Sequence, residues 1–388
     1  MRYDGYYSEL YIASFLIESK NMLLAHKIEL RPTLEQREYL DRSCGHRRHC
    51  HNQLLEYFSQ KDEAGQLVNK WSKAAAYQYY ITVLRVKFPW YNEVSSRVTR
   101  NAIDDLDNAF KHFFRRVKNG DKNPGYPKYK KRDHKDSFAL REAEKFDVNY
   151  KKLRIEKLKT WINLREPIRL RGKLKQVTIS KRAGKYYASF LIDTDEYDPK
   201  DVNRQESVGV DFGIKSLVTL SNGESFPASQ PLKKEIRKLK KLQRNMSRKV
   251  IGSNRRARAK LRLQKLHFRV ARQRAAILHQ LSDYLTKTFD RIVIEDLNVK
   301  GMIKNRKLSR AISDVGFGML RQMIEYKAKL RNCVVVIANR FFPSSKTCSR
   351  CGQIKQNLTL SDRIYSCDCG LVIDRDLNAA LMLNKYST

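Results

Sequence analysis

Three short segments carry carboxylates where a backbone element begins or ends. In Val208-Gly-Val-Asp-Phe-Gly213, apolar Val208, Val210 and Phe212 alternate with Gly209, Asp211 and Gly213, the period of a half-buried strand. Arg291-Ile-Val-Ile-Glu-Asp-Leu297 is a buried strand closing on the adjacent acids Glu295 and Asp296. Ile373-Asp-Arg-Asp-Leu-Asn-Ala-Ala-Leu381 places Asp374 and Asp376 at the head of a helix. Singly, each has an ordinary reading: a solvated acid at a strand end or, for Asp374, an N-cap. Together, in the order strand, strand, helix, they suit two magnesium ions held between converging carboxylates, the arrangement that clamps the attacking and leaving oxygens in phosphodiester hydrolysis. Asp374 and Asp376 would point roughly 200° apart on a helix. Only one can face such a site, and periodicity does not choose between them.

A second kind of chemistry sits in the cysteines. Four of the seven, in Cys348-Ser-Arg-Cys351-Gly and Cys367-Asp-Cys369-Gly, form two knuckles separated by a polar hairpin. Soft thiolates from two tight turns suit one tetrahedral structural zinc, and Gly352 and Gly370 permit the turns. The second knuckle is one residue shorter than C-x-x-C. Such crowding of thiols indicates a reducing compartment, the cytoplasm. Cys44-Gly-His-Arg-Arg-His-Cys-His51 also offers ligands, but Cys44 and His51 fall on the apolar stripe of a helix while His46, His49 and Cys50 point elsewhere. That segment reads as packing on a basic helix.

These groups sit in a chain of 388 residues with 79 Lys+Arg against 41 Asp+Glu and a formal net charge of +38. With 41% hydrophobic content, 20 Tyr and 16 Phe, it is no disordered basic tail. No apolar run reaches the roughly 18 residues of a membrane span, so the polyanion its charge demands is nucleic acid. The charge is densest between Lys233 and Gln280, where the only acid is Glu235. There Leu232, Ile236, Leu239, Leu242 and Met246 mark one apolar helix face. The rest is positive and would repel itself at i,i+4 without phosphates. Candidate contacts are Lys233, Lys234, Arg237, Arg244, Arg248, Arg255, Arg256, Arg258 and Lys260, with Lys128, Lys130 and Lys131 in the turn-rich connector GDKNPGYPKYKK.

The elements that must position these residues change texture along the chain. A strand from Leu24 to Leu30 precedes Thr33, which with Gln36 makes a capping box. Helical patterns then run through residues 33–119. Short alternating segments at Lys152–Ile155, Leu174–Ser180 and Tyr186–Ile192 predict a small antiparallel β domain, a partial barrel. From residue 204 strands and helices mix, as in an α/β domain with two insertions.

In this order the motifs resemble the TnpB family, RuvC nucleases encoded by insertion sequences and similar to miniature type V CRISPR effectors. The likeness runs through Lys27-Ile-Glu-Leu-Arg-Pro-Thr-Leu-Glu-Gln36, Gly125-Tyr-Pro-Lys-Tyr-Lys130, Gly209-Val-Asp-Phe-Gly213, Ile294-Glu-Asp-Leu297, Lys307-Leu-Ser-Arg-Ala-Ile312, Phe342-Pro-Ser-Ser-Lys-Thr-Cys348 and Asp374-Arg-Asp-Leu-Asn-Ala-Ala380. The resemblance implies a dispensable extension at 1–21, a first wedge strand at 22–32 and a helical recognition lobe at 33–119. A wedge β-barrel at 120–203 would follow, then a ribonuclease H-like RuvC domain at 204–388 with a basic helical insertion at 231–286 and a zinc-binding insertion at 343–372. It implies RNA-guided cleavage of double-stranded DNA beside a short target-adjacent motif, by a monomer carrying a guide RNA from the end of the mobile element. Asp211, Glu295 and Asp376 match the family's catalytic acids, Asp376 because it directly precedes the Leu-Asn-Ala-Ala run. Relatives that have lost acids act as RNA-guided DNA-binding repressors, a reading the intact trio opposes. A miniature CRISPR effector would share all of this chemistry, and only neighbouring DNA separates the two.

Overall fold

Thr33 ends the first long strand and starts the first helix. Its N–H donates to Gln36 Oε1 at 3.0 Å, and its hydroxyl accepts from the Gln36 N–H at 3.4 Å. The computed structural model describes residues 22–132, 136–194, 204–359 and 362–387, with the backbone of Leu10 and Tyr11; most of the 1–21 extension lies outside these residues. The chain divides into two units, Met1–Glu196 and Tyr197–Thr388.

In the first unit β1 (Leu10–Tyr11) pairs with β2 (Met22–Arg31), and α1 (Leu34–Tyr57) follows. Helix α2 (Lys73–Tyr79) passes through a π turn into α3 (Arg85–Lys87), and α4 (Ser96–Lys118) closes the helical part. Six strands come next: β3 (Ser137–Leu140), β4 (Phe146–Asn149), β5 (Lys152–Ile155), β6 (Ile162–Leu164), β7 (Lys173–Arg182) and β8 (Lys185–Thr194). All pair antiparallel in the order β3-β7-β8-β2-β6-β5-β4. Because β2 pairs with β8 along its length, the helices are an insertion between the first strand and the rest of its own sheet.

Helix α1 serves two cores. Leu40 and Cys44 pack on the sheet with Ile28 and Phe190, whereas Cys50, Leu54 and Phe58 pack among the helices with Leu84 and Leu106. Cys50, expected off the apolar stripe, is therefore fully buried. The buried face of α1 turns from sheet to helices along its length, and a single stripe cannot describe it. His46 and His49 lie edge-on against Trp90. The histidine-rich run is packing, with His46 buried although it too was expected off the stripe, and among the described residues the only group of three or more His, Cys, Asp or Glu gathered for a metal is the four cysteines.

The second unit begins with three antiparallel strands, β9 (Gln205–Phe212), β10 (Ser216–Leu220) and β11 (Ser225–Pro227). Helices α5 (Pro231–Ser247) and α6 (Asn254–Thr288) form a long arm leading to β12 (Phe289–Glu295). Next come α7 (Val299–Lys304), α8 (Ser309–Val315), α9 (Phe317–Leu330) and β13 (Val334–Ala338). A hairpin of β14 (Ile364–Ser366) and β15 (Val372–Asp374) then leads into α10 (Arg375–Asn384). The sheet order is β11-β10-β9-β12-β13, with β9, β12 and β13 parallel.

The basic arm closes on Leu239, Leu263 and Leu266, with Leu232, Leu242 and Met246 packed against them. Its root is fixed by one buried acid. Helix α5 has no side-chain cap of its own. Instead, the Asp314 carboxylate on α8 accepts from the Leu232 and Lys233 N–H groups at 3.0 Å each and pairs with Arg274 at 2.9 Å. With its side chain 2% exposed, Asp314 is the part whose loss leaves a buried cation and two N–H groups unpaired. Asp314→Ala should cost about 3 kcal/mol, read as a lower urea midpoint for the full chain. An unchanged midpoint would show that the arm's root is held by something else.

Candidate active site and metal centre

Strands β9 and β12 run parallel with Val210 opposite Ile294. The next residues, Asp211 and Glu295, therefore leave adjacent strands at the same level. What brings the third acid in is a glycine. A Cβ on Gly209 would lie 2.0 Å from the Ala380 carbonyl oxygen and 2.5 Å from the Asn384 nitrogen, so α10 rests with its backbone directly on β9. Gly209 and Asp211 share a sheet face, two residues apart, and Ala380 and Asp376 share a helix face, four apart. One contact thus sets the register of Asp376 against Asp211.

The electrostatics agree with this placement. Desolvation holds the Asp211 carboxyl well above its usual range, and the charges of Glu295 and Asp376 push the same way, with Arg375 opposing. Burial also raises Glu295, partly offset by the Ser344 hydroxyl, which donates to Glu295 Oε1 at 2.7 Å. Carboxylates that burial and mutual repulsion make costly to ionise fit a divalent cation, whose charge would remove both penalties.

The neighbouring acids do other work. Asp374 is exposed and caps α10, accepting from the Asp376 and Leu377 N–H groups at 2.9 and 3.1 Å. Asp374 thus serves as the helix cap, while its charge, like that of Asp376, raises the Asp211 carboxyl. Asp296 pairs with Arg321 at 2.7 Å and Arg340 at 2.5 Å, which hold its carboxyl below the usual range and tie β12 to α9 and to the turn after β13. Sequence reasoning missed Ser344 as a partner of Glu295. Its only signal was a hydroxyl pair just ahead of the first knuckle, and nothing local links it to a strand nearly fifty residues earlier.

In the knuckles, Cys348 and Cys369 sulfurs lie 3.6 Å apart, as do those of Cys351 and Cys367, and all four ligand atoms fall within 4.8 Å of one another. Zinc–sulfur bonds of about 2.3 Å in a tetrahedron put sulfurs about 3.8 Å apart, so the four thiols fit one zinc. The shortened second knuckle does not spoil the geometry, because Gly352 and Gly370 take φ of 78° and 84° and let both turns close tightly. Burial opposes ionisation of Cys348, but the Cys351 and Arg350 backbones bring its thiol down to about 6. The first knuckle is docked on α10: buried Asn378 accepts from the Ser349 N–H at 2.9 Å and donates to the Thr347 carbonyl at 2.8 Å.

Most of the cations expected to meet nucleic acid face solvent, among them Lys128 and Lys131 in the first unit and Lys233, Lys234, Arg237, Arg244, Arg248, Arg255 and Arg258 in the second. Arg256 and Lys260 are half-buried. Two of the set serve the protein itself. Arg256 donates to the Lys249 and Met246 carbonyls at 2.7 and 3.2 Å, closing the turn between α5 and α6. Lys130 pairs with Asp105 at 3.4 Å, and its backbone exchanges hydrogen bonds with the Asn52 side chain. Unpaired carbonyls at a helix end and a semi-buried carboxylate claim these cations, and neither is visible in a run of basic residues.

Comparison with known proteins places three family matches along the chain. Residues 189–306 match a family described as "Probable transposase", 317–383 match "Cas12f1-like, TNB domain", and 22–65 match "Helix-turn-helix domain". In this structure the last segment contains strand β2 and the single helix α1. A Streptomyces pristinaespiralis protein, "Putative RNA-guided DNA endonuclease", is 35% identical over 92% of this chain and 87% of its own. "Putative RNA-guided DNA endonuclease InsQ" of Escherichia coli K12 is 30% identical over 92% and 90%. A solved Cas12f1 chain from a complex with guide RNA and target DNA aligns over 94% of this chain and 99% of that chain, at TM-score 0.35 and 14% identity, a likeness on which nothing here rests.

Two outcomes follow from the site. Asp211 has a raised pKa in the folded protein, so the stability it contributes is present at acid pH and is lost as pH rises through that value. In magnesium-free buffer the wild type should lose melting temperature relative to Asp211→Asn as pH rises above the ordinary aspartate value of about 4, and magnesium should close the gap. Parallel pH curves for the two proteins would contradict the carboxylate cluster. Protein purified without chelator should contain close to one zinc per chain, and Cys348→Ser should lose both the zinc and protection of residues 343–372 from proteolysis. Metal analysis finding no zinc in the wild type would refute the thiolate centre.

Proposed function

The chain belongs to the TnpB family of insertion-sequence proteins, and from that membership we propose that it is an RNA-guided DNA endonuclease whose second unit is a RuvC-type nuclease. The observation that supports this reading is the placement of Asp211 and Glu295 at the same level of adjacent strands with α10 seated on β9, together with an Asp211 carboxyl raised by burial and by the charges of Glu295 and Asp376. A sheet of three antiparallel strands extended by two parallel ones, with the first acid on the first strand, is in keeping with the ribonuclease H-like fold.

Magnesium held by Asp211, Glu295 and Asp376 would supply Lewis-acid stabilisation of the attacking and leaving oxygens of the phosphodiester. The chain's own residues prepare for that. Ser344 fixes one oxygen of Glu295, Asp374 pins the start of α10, and the Asp296 ion pairs hold the end of β12. The exposed cations supply affinity for the phosphate backbone without reading sequence. Sequence choice falls to pairing between a guide RNA and one DNA strand, with the protein reading heteroduplex shape and a short flanking motif. The two nearly full-length relatives named as RNA-guided DNA endonucleases support this reading. A role as an RNA-guided DNA-binding regulator without cleavage is disfavoured by the complete trio of acids.

Asp211→Ala or Glu295→Ala in the guide-loaded complex should abolish cutting of a target plasmid while leaving DNA binding nearly intact. Asp376→Ala should behave likewise. Asp374→Ala should lose only a helix cap, about 1 kcal/mol, and keep substantial cutting. Linear plasmid from the Asp211 or Glu295 variant would sink the metal assignment, and programmed cutting by protein stripped of RNA would overturn the guided reading.

A further inference from the structure

Between β13 and the first knuckle the chain makes a tight turn, Asn339-Arg340-Phe341-Phe342, whose shape is fixed by its own hydrogen bonds. The Phe341 N–H donates to the Asn339 side chain at 2.9 Å, and the Phe342 N–H donates to the Asn339 carbonyl at 2.9 Å. Phe342 turns inward against Tyr386, ring centroids 4.9 Å apart. Phe341 does the opposite. At 88% exposure it is the most exposed large hydrophobic side chain among the described residues.

Single exposed hydrophobics are common and by themselves need no explanation. This one differs in its address. The residue before it, Arg340, is paired with Asp296, and Ser344, three residues after it, donates to Glu295. The turn is thus tethered on both sides to the two adjacent acids at the end of β12, one of them in the proposed active site. An aromatic ring standing in water on a turn tethered to two acids has a natural ligand class. Cations hold a strand by its phosphates and leave its bases unheld, so a contact to a base adds a grip that charge alone does not supply. An aromatic ring holds any of the four bases by its π face, without preference for sequence. That tolerance is what a cutting site needs when sequence is chosen elsewhere by base pairing.

We propose that Phe341 is a stacking platform for an unpaired nucleobase of the DNA strand being cut, seating that strand at the carboxylate site. The proposal rests on the nuclease reading above. The half-exposed Arg340 guanidinium, steadied by Asp296, stands next to the platform as a cation for the flanking phosphate.

The test uses the guide-loaded full chain with a matched DNA target in single-turnover cutting, comparing Phe341→Ala, Phe341→Leu and Phe341→Trp with the wild type. Loss of one stacked base should slow cutting about tenfold in both the alanine and the leucine variants, whereas tryptophan should preserve it. Guide-RNA binding and zinc content should not change. On targets carrying a single abasic site stepped through the cut region, one position should slow the wild type by a similar factor and leave Phe341→Ala no slower than before. Separately, 5-iodouracil at that position should photo-crosslink to the peptide containing residue 341 in an Asp211→Ala background, where no cutting competes. Cutting by Phe341→Ala within twofold of wild type would overturn the platform. So would leucine cutting as well as tryptophan, or losses from alanine and the abasic site that simply multiply at every position. The Asp211→Ala control keeps the two readings apart: if it still cuts, the nuclease assignment fails, and if it is dead while Phe341→Ala is normal, only the platform fails.

Discussion

The backbone of α10 lies on β9 at Gly209 more closely than any side chain would permit, and the second unit is organised around that contact. Three carboxylates drawn into a partly desolvated space repel one another, and no single hydrogen bond would hold them there. The cost is met by packing: a helix seated on a strand with no side chain between them, over a core built from Val208, Val210, Ile292 and Ile294. A methyl group at residue 209 would lift the helix, and every ångström of lift would relieve the repulsion. Gly209 thus shapes the proposed site through the side chain it lacks.

The zinc knuckles extend the same logic. Asn378, two residues beyond Asp376, is hydrogen-bonded to both Thr347 and Ser349 around Cys348, while Ser344, four residues before Cys348, holds Glu295. The first knuckle is thus attached to the helix that carries Asp376 and to the Glu295 carboxylate by hydrogen bonds, which depend less on salt than exposed ion pairs do. A segment too short to hold a core becomes a brace once four thiolates close around a cation. A zinc held there would steady the residues proposed to do the chemistry.

How much of this was legible in the sequence depends on the range of the signal. The acids, the knuckles, the Thr33 capping box and the apolar seam of the arm are local patterns. They announced themselves because strand alternation, tight turns and helical spacing are read over a few residues. The strands β3, β4 and β6 were missed, although β5 is no longer than β3 or β4 and was read from the alternation of Lys152-Leu-Arg-Ile155. Cys50 was assigned to the wrong face because α1 changes partners midway. The helix-capping bonds of Asp374 and the self-directed bonds of Arg256 and Lys130 needed the fold. In each case the deciding partner is an orphan carbonyl, an N–H group or a distant carboxylate, none of which a one-dimensional pattern contains.

The parallel pairing of β9 with β12 and β13, and the seating of α10 on β9, have a consequence for how the protein is made. The first acid lies on the first strand of its unit and the third on the last helix, with the whole arm and the knuckles between them. Parallel pairs require such long crossovers and carry a high loop-closure cost, so they form late. On a ribosome the cation-rich arm emerges and can meet RNA while α10 is still inside the exit tunnel. The three acids can therefore come together only after α10, which follows the whole arm and the knuckles in the chain, has left the ribosome.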